Sequence, residues 1–248
     1  MEESNCSLKS VILIIIFYLY QKYFMNKILL KKLNFLLFFL ISFCFVNAQT
    51  APFHSEIQQF EKQDSIHFPP KHAILFLGSS SFRKWKDVQN DFPGYTIINR
   101  GFGGSTIPDA IYYADEIVFP YEPKQVVIYE GDNDLASSDK ITADSVLNRF
   151  KQLFNLLRSK LPNTSIAFVS IKPSPSREKL MPQMQEANSM VKRFLSHQKN
   201  AAFIDVYHAM LNKDGTPDKS LFIEDELHMN AKGYAIWKRI IQPYLLKK

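Results

Sequence analysis

An α/β fold, with a parallel sheet covered by helices on both faces, is what this sequence predicts. Two patterns carry that reading. Short, continuously apolar runs recur from about residue 72 onward, and stretches of helical period lie between them. A third observation is punctuation: three of the apolar runs lead directly into glycine-bearing loops.

The first strand is Ala73–Leu77, a fully apolar run ended by Gly78. The second, Tyr95–Ile98, follows the Pro93-Gly94 turn and leads into Asn99–Gly104. Gln125–Tyr129 is the third, followed by Gly131–Asp134. Ser165–Ile171 is the fourth, stopped by Pro173, and Ala201–Asp205 is the fifth. Helices fill the gaps. Thr142–Lys160 places Val146, Phe150, Leu153 and Leu157 at spacings of three and four. Met184–His197 repeats the pattern, with Ala187, Met190, Val191 and Phe194. Asn230–Leu245 carries Tyr234, Trp237, Ile240 and Ile241, with Asn230 as its N-cap. Trp85 and Trp237 read as core residues. Ligands of open α/β sheets bind beyond the carboxyl ends of the strands, so the three glycine-bearing loops should meet on one rim.

The 248 residues suit one domain preceded by a targeting region. Residues 1–48 form that region, 49–70 a polar lead-in segment, and 71–248 the domain. Met25 to Asn34 is a basic stretch, Phe35 to Val46 an apolar run of 12, and Val46-Asn47-Ala48 a small-residue cleavage pattern. This is the grammar of a secretory signal starting at Met25, and it predicts export to the periplasm or the exterior. An uncleaved segment anchoring the chain to a membrane is the alternative. Both cysteines, Cys6 and Cys44, precede the cleavage site, so the mature chain contains no thiol for a disulfide or a thiolate metal site. The bulky Phe43 argues against lipidation of Cys44. The net charge is +6. Without residues 1–48 the chain keeps 25 basic and 22 acidic residues, and no block of like charge points to nucleic acid. Nucleic acid is therefore not expected as a partner, and the oligomeric state is left open.

Four short segments carry chemistry: Gly78-Ser79-Ser80, Asn99–Gly104, Gly131-Asp132-Asn133-Asp134 and Asp225-Glu226-Leu227-His228. A serine on a tight strand-to-helix turn is pushed out of the sheet edge, close to backbone N–H groups that favour negative charge. Ser79, Ser80 and Ser81 all meet that description, and all could merely cap a helix. A serine hydroxyl needs a base to become a nucleophile. Of the six histidines, His228 is distinguished by Asp225, three residues earlier in a loop leading into a helix, which can orient the imidazole. Glu224 and Glu226 read as solvated loop acids.

In order and spacing the four segments resemble the SGNH hydrolase family, also called GDSL esterases or lipases. The resemblance runs from about Ile74 to Leu245. It includes Phe76–Ser81 with Trp85, and Leu227–Tyr234 with Trp237. It implies a three-layer α/β/α sandwich of flavodoxin-like type and ester hydrolysis with no metal and no cofactor, acting on a small-molecule partner. It selects Ser80, third in the first segment, as nucleophile; Ser79 stands where the family more often has Asp. It assigns His228 as base, Asp225 as its orienting acid, and Ser80 N–H, Gly104 N–H and Asn133 as oxyanion donors. Asp134 is expected to brace its loop. Arg100 is left between bracing and touching substrate. Ile171–Arg177 reads first as a rigid loop with a solvated Arg177, and second as a pocket wall meeting an acidic substrate. The expected activity is that of an exported serine esterase removing acetyl or other acyl groups through an acyl-serine intermediate. The substrate would be a small-molecule, carbohydrate or lipid ester. A lysophospholipase-like acylhydrolase and a non-catalytic binding protein on the same fold are the alternatives.

Overall fold

Residues 13–27, 31 and 51–247 are described by the computed structural model, in which the chain divides into two units, residues 1–51 and 52–248. In the first unit, a helix over 13–27 exposes Leu13 to Leu19 and Met25. Among the described residues no helix is long and apolar enough to cross a membrane. The run Phe35–Val46 and the cleavage pattern ending at Ala48 lie outside the described residues.

The second unit is built on a five-stranded, wholly parallel sheet in the order β2-β1-β3-β4-β5. The strands are β1 (Ile74–Gly78), β2 (Ile97–Gly101), β3 (Gln125–Tyr129), β4 (Ser165–Val169) and β5 (Ala201–Ile204). Every residue of β1 and β3 is buried, which is why they read as unbroken apolar runs. The second strand begins two residues later than its apolar pattern suggested and takes Asn99 and Arg100 into the sheet. Gly78 is in register with Gly101 on one side and Tyr129 on the other, so the first three strands end level.

Helices α1 (His54–Ile66), α2 (Ser80–Arg83), α3 (Val88–Asp91), α4 (Ile107–Tyr112), α5 (Ala114–Ile117), α6 (Asp132–Ala136), α7 (Ala143–Lys160), α8 (Met181–Leu195) and α9 (Ala231–Ile241) occur in chain order. On one sheet face, Phe76, Phe82, Trp85, Phe92, Tyr129 and Trp237 form an aromatic core with α9. Trp237 is fully buried. On the other, Phe150 of α7 packs against Phe168 of β4 at 4.7 Å, and Phe154 against Phe194 of α8 at 5.3 Å. The result is the three-layer sandwich. Thr142 caps α7 through a reciprocal exchange with Ser145, and Asn230 caps α9 by accepting from the N–H groups of Lys232 and Gly233.

The lead-in segment holds a helix that the polarity of residues 49–70 concealed. Helix α1 places Phe53, Ile57 and Phe60 at spacings of four and three, with Ile57 buried. Its Asp64 reaches Arg100 at 2.6 Å. Arg100 is buried, donates to the Tyr121 hydroxyl at 2.8 Å, and stacks over the Phe60 and Tyr121 rings. These contacts tie α1 to the edge strand β2, as the bracing reading of Arg100 expects.

Candidate active site

The rim where β1, β2 and β3 end carries the site. Strand β1 stops at Gly78, where a Cβ would come within 2.3 Å of the Tyr129 carbonyl oxygen. Only glycine permits that approach, and it lets the chain turn at once into α2. Ser80 is the first residue of that one-turn helix. Two side chains from distant elements hold α2 by its carbonyls: Asn99 Nδ2 donates to Phe82 O at 2.7 Å, and the Tyr234 hydroxyl donates to Ser81 O at 2.9 Å. The neighbouring Ser79 hydroxyl is buried and has no partner among the described residues. It faces the protein, while Ser80 is half-buried at the surface.

Ser80 Oγ lies 2.9 Å from His228 Nε2, across 148 positions of sequence. His228 Nδ1 lies 2.5 Å from Asp225 Oδ2. The other carboxylate oxygen, Oδ1, accepts the backbone N–H groups of Leu227 at 3.0 Å and His228 at 2.8 Å. Partial burial pushes the Asp225 carboxyl up, but the His228 N–H, the His228 ring and the Leu227 N–H outweigh it and hold the group down at about 2. Asp225 is thus a fixed anion whose geometry is set by its own loop. Glu226, between the two, adopts a left-handed conformation at φ 54°, and its side chain pairs with Lys219 at 3.0 Å.

The remaining predicted groups lie on the loops that follow β2 and β3. Phe102 N–H donates to Gly78 O at 2.9 Å, which fastens the loop after β2 to the turn bearing Ser80. Gly104 is exposed, at φ 87°, a conformation that disfavours a side chain. Its N–H is taken by no hydrogen bond among the described residues. Asn133 Nδ2 donates to Ser105 O at 2.8 Å, so Asn133 sits against the residue following Gly104 and keeps a second amide hydrogen. Asp134 braces: it accepts from Ile107 N–H at 3.1 Å and from Arg149 at 2.7 Å. Beneath, the Ser105 hydroxyl donates to the buried Glu130 at 2.7 Å. Burial drives the Glu130 carboxyl well above its usual range, against the pull of that hydrogen bond.

Arg177 departs from its expected place. It is not solvated: Nη2 donates to Asn133 Oδ1 at 2.9 Å, and Nη1 lies 3.0 Å from Asp132 Oδ2. Asp132 is buried, and Lys172, also buried, approaches it at 3.9 Å. Burial lowers the Lys172 ammonium to about 8, against the opposing attraction of Asp132. Ser176 donates through both N–H and hydroxyl to the Glu226 carbonyl, at 3.1 and 3.0 Å.

Two further features escaped the sequence. Glu56 of α1 accepts Gly103 N–H at 3.1 Å and pairs with Arg83 at 3.0 Å, so the lead-in helix reaches the loop before Gly104. The spacing of Phe53, Ile57 and Phe60 was the signal that could have revealed it. The second corrects the distinction given to His228. Asp205 stands three residues before His208, and their side chains meet at 2.8 Å. The surface clefts near Tyr95–Lys247 and Phe203–His208 lie away from Ser80, so side-chain geometry, not cavity size, marks the site.

The fold is shared with solved structures of low sequence identity. A GDSL-like lipase from Bacteroides thetaiotaomicron superposes with a TM-score of 0.63 at 20% identity, over 76% of this chain and 96% of that one. A catalytic variant of an acetylxylan esterase from Geobacillus stearothermophilus superposes with a TM-score of 0.58 at 17% identity, over 71% and 94%. A comparison with curated proteins gives no match. The sequence itself matches a family model over residues 64–236, from within α1 to within α9. On that match, the chain belongs to the GDSL-like lipase/acylhydrolase family and is an ester hydrolase.

Proposed function

We propose that Ser80, His228 and Asp225 are the nucleophile, base and orienting acid of a serine esterase, and that Ser80 N–H, Gly104 N–H and Asn133 Nδ2 form its oxyanion hole. The observation that supports this most is the continuous relay from Asp225 Oδ2 through both ring nitrogens of His228 to Ser80 Oγ, at 2.5 and 2.9 Å.

Asp225 accepts a hydrogen bond from Nδ1–H, and this tautomer leaves Nε2 with its lone pair facing the serine. As Ser80 Oγ bonds to the ester carbonyl carbon, its proton passes to Nε2. The carbonyl oxygen becomes negative beside the three donors. Collapse breaks the bond to the alcohol, which leaves with the proton from His228. Water then attacks the acyl-Ser80, again through His228, and releases the acid.

The substrate is read as an ester of an acetyl or other acyl group, handled outside the cytoplasm. Supporting this are the basic-apolar-small order of residues 25–48 and the open setting of Ser80, Gly104 and Asn133 at the rim. Ser80→Ala should lower turnover of an activated acetyl ester by about 10⁵–10⁶-fold while leaving the circular dichroism spectrum unchanged. An organophosphorus reagent should label the wild type once, on Ser80. A folded Ser80→Ala protein with undiminished turnover refutes the assignment. Export is tested by sequencing the N-terminus of the secreted protein, which should begin at Gln49.

A further inference from the structure

We propose that Arg177 is a positioning residue for the Asn133 oxyanion donor: its guanidinium, anchored on Asp132, fixes and polarises the Asn133 carboxamide so that the free Nδ2 hydrogen faces the developing oxyanion. This rests on the reading of Asn133 given above.

A side-chain amide is a poor oxyanion donor unless it is held. Its oxygen and nitrogen ends have nearly the same shape, and the wrong end would aim lone pairs at a negative charge. Ser105 O tethers Nδ2 at one point, 2.8 Å away. One tether still allows the amide plane to pivot. Arg177 Nη2, 2.9 Å from Oδ1, supplies the second point that stops it. The contact also draws electron density towards Oδ1, which makes the Nδ2–H groups stronger donors through the amide bond.

Arg177 can hold the amide because it is held itself. Its Nη1 stands 3.0 Å from Asp132 Oδ2, and the same carboxylate oxygen is approached by the Tyr129 hydroxyl at 3.3 Å. Asp132 lies in the segment that bears Asn133, so the guanidinium fork spans adjacent residues. Towards Asp132 the contact is an ion pair without an aligned hydrogen bond, so the guanidinium is held by charge on one arm and donates to Asn133 with the other, a division that a planar, delocalised cation allows more readily than a single ammonium. The loop carrying Arg177 is fastened on its other side as well, through the two Ser176 donors on Glu226 O. One short loop therefore ties the oxyanion half of the site to the half that carries Asp225 and His228.

A double-mutant cycle on the full chain, with an activated acetyl ester, tests this directly. Asn133→Ala should lower kcat by about 10²–10³-fold, and Arg177→Met by about 10–100-fold, with KM within about twofold. In the Asn133→Ala background, Arg177→Met should lower kcat less than about twofold further, because the group it positions is gone. Arg177→Lys should recover only part of the loss. Equal factors in both backgrounds, or a loss carried by KM, would overturn the proposal, since a purely structural or substrate-contacting arginine behaves so. If Arg177→Met does not fold, the same cycle with Arg177→Lys applies the same criterion. Full turnover in Ser80→Ala would overturn the site reading. Full turnover in Asn133→Ala alone would overturn the oxyanion assignment and this proposal with it.

Discussion

Asp-x-x-His occurs three times in this protein; Asp64, three residues before His67 at the end of α1, gives its carboxylate to Arg100, while the other two, both in loops, pair with their histidines and differ in what stands opposite. Asp225 meets His228 Nδ1 at 2.5 Å, and Asp205 meets His208 Nδ1 at 2.8 Å. In both, the other carboxylate oxygen accepts the histidine's own backbone N–H, at 2.8 and 3.4 Å. The local device is the same: an aspartate that closes a turn and captures the ring three residues on. The far nitrogen separates them. His228 is 16% exposed and its Nε2 meets Ser80, whereas His208 is 76% exposed. Asp205 and His208 follow β5, three strand positions from β1, or about 14 Å along the rim at the usual strand spacing. The chain must run on past His208 and return to the β1 end before an imidazole reaches the serine. Pairing within Asp-x-x-His is thus set by the local turn, and its use in catalysis by the whole fold.

The largest effect expected from this comparison is on the inner loop. His228→Ala should lower kcat by about 10⁵–10⁶-fold, matching loss of the serine, because neither acts alone. Asp225→Asn should lower it by about 10⁴-fold. Here the reason is the tautomer. The asparagine Oδ1 can still accept the Leu227 and His228 N–H groups, which turns its amino group towards Nδ1. The ring must then place its proton on Nε2, facing Ser80 as a donor. Asp225→Asn activity within tenfold of wild type would mean that the loop orients the ring without the carboxylate, and the distinction between the two turns would lose its chemistry.

A smaller effect concerns acid. The Asp225 carboxyl is lowered from 3.8 in the unfolded chain to about 2 in the fold. A depressed carboxyl contributes stability that is full above about 4 and disappears as pH falls through about 2. Its 42% exposure screens that contribution, so the change is modest. Melting temperatures of wild type and Asp225→Asn should therefore converge on acidification across that window. A gap that stays constant from pH 5 to pH 2 contradicts the assignment of the anion.

The core of this arrangement was legible because it is local or repetitive. The strand runs are apolar on both faces, and the helix patterns of α7, α8 and α9 repeat every three to four residues. Gly78 announces itself at the end of an apolar run, while Gly104 was singled out from its neighbouring glycines only by the family resemblance. What stayed hidden depends on tertiary placement of polar groups. Arg177 looked like any surface arginine, and only the fold shows that Asp132 and Asn133 wait for both arms of its fork. Arg100 gave no sign that Asp64, 36 residues earlier, would meet it. Helix α1 was masked by its composition, since a single buried residue, Ile57, suffices when ion pairs tie the rest to the sheet. The partner of Asp205 was overlooked because its spacing lies at a strand end and not before a long helix.

The smallest expected effect is on the outer loop, and it is the one that isolates the comparison. His208→Ala should change kcat and KM by less than about twofold, because its ring faces solvent and surface substitutions of this kind are nearly neutral. Asp205→Ala removes the acceptor of the His208 ring at 2.8 Å and of its N–H at 3.4 Å, an exposed pair whose loss lowers stability by at most about 1 kcal/mol without altering turnover. Measured together by kinetics and thermal melting, the two variants should separate stability from chemistry: a lower melting temperature for Asp205→Ala, and wild-type kcat for both. A tenfold fall in kcat for His208→Ala, at unchanged melting temperature, would show that this second pair reaches the reacting groups after all. The two turns would then have to be read as partners in one reaction instead of one device used twice.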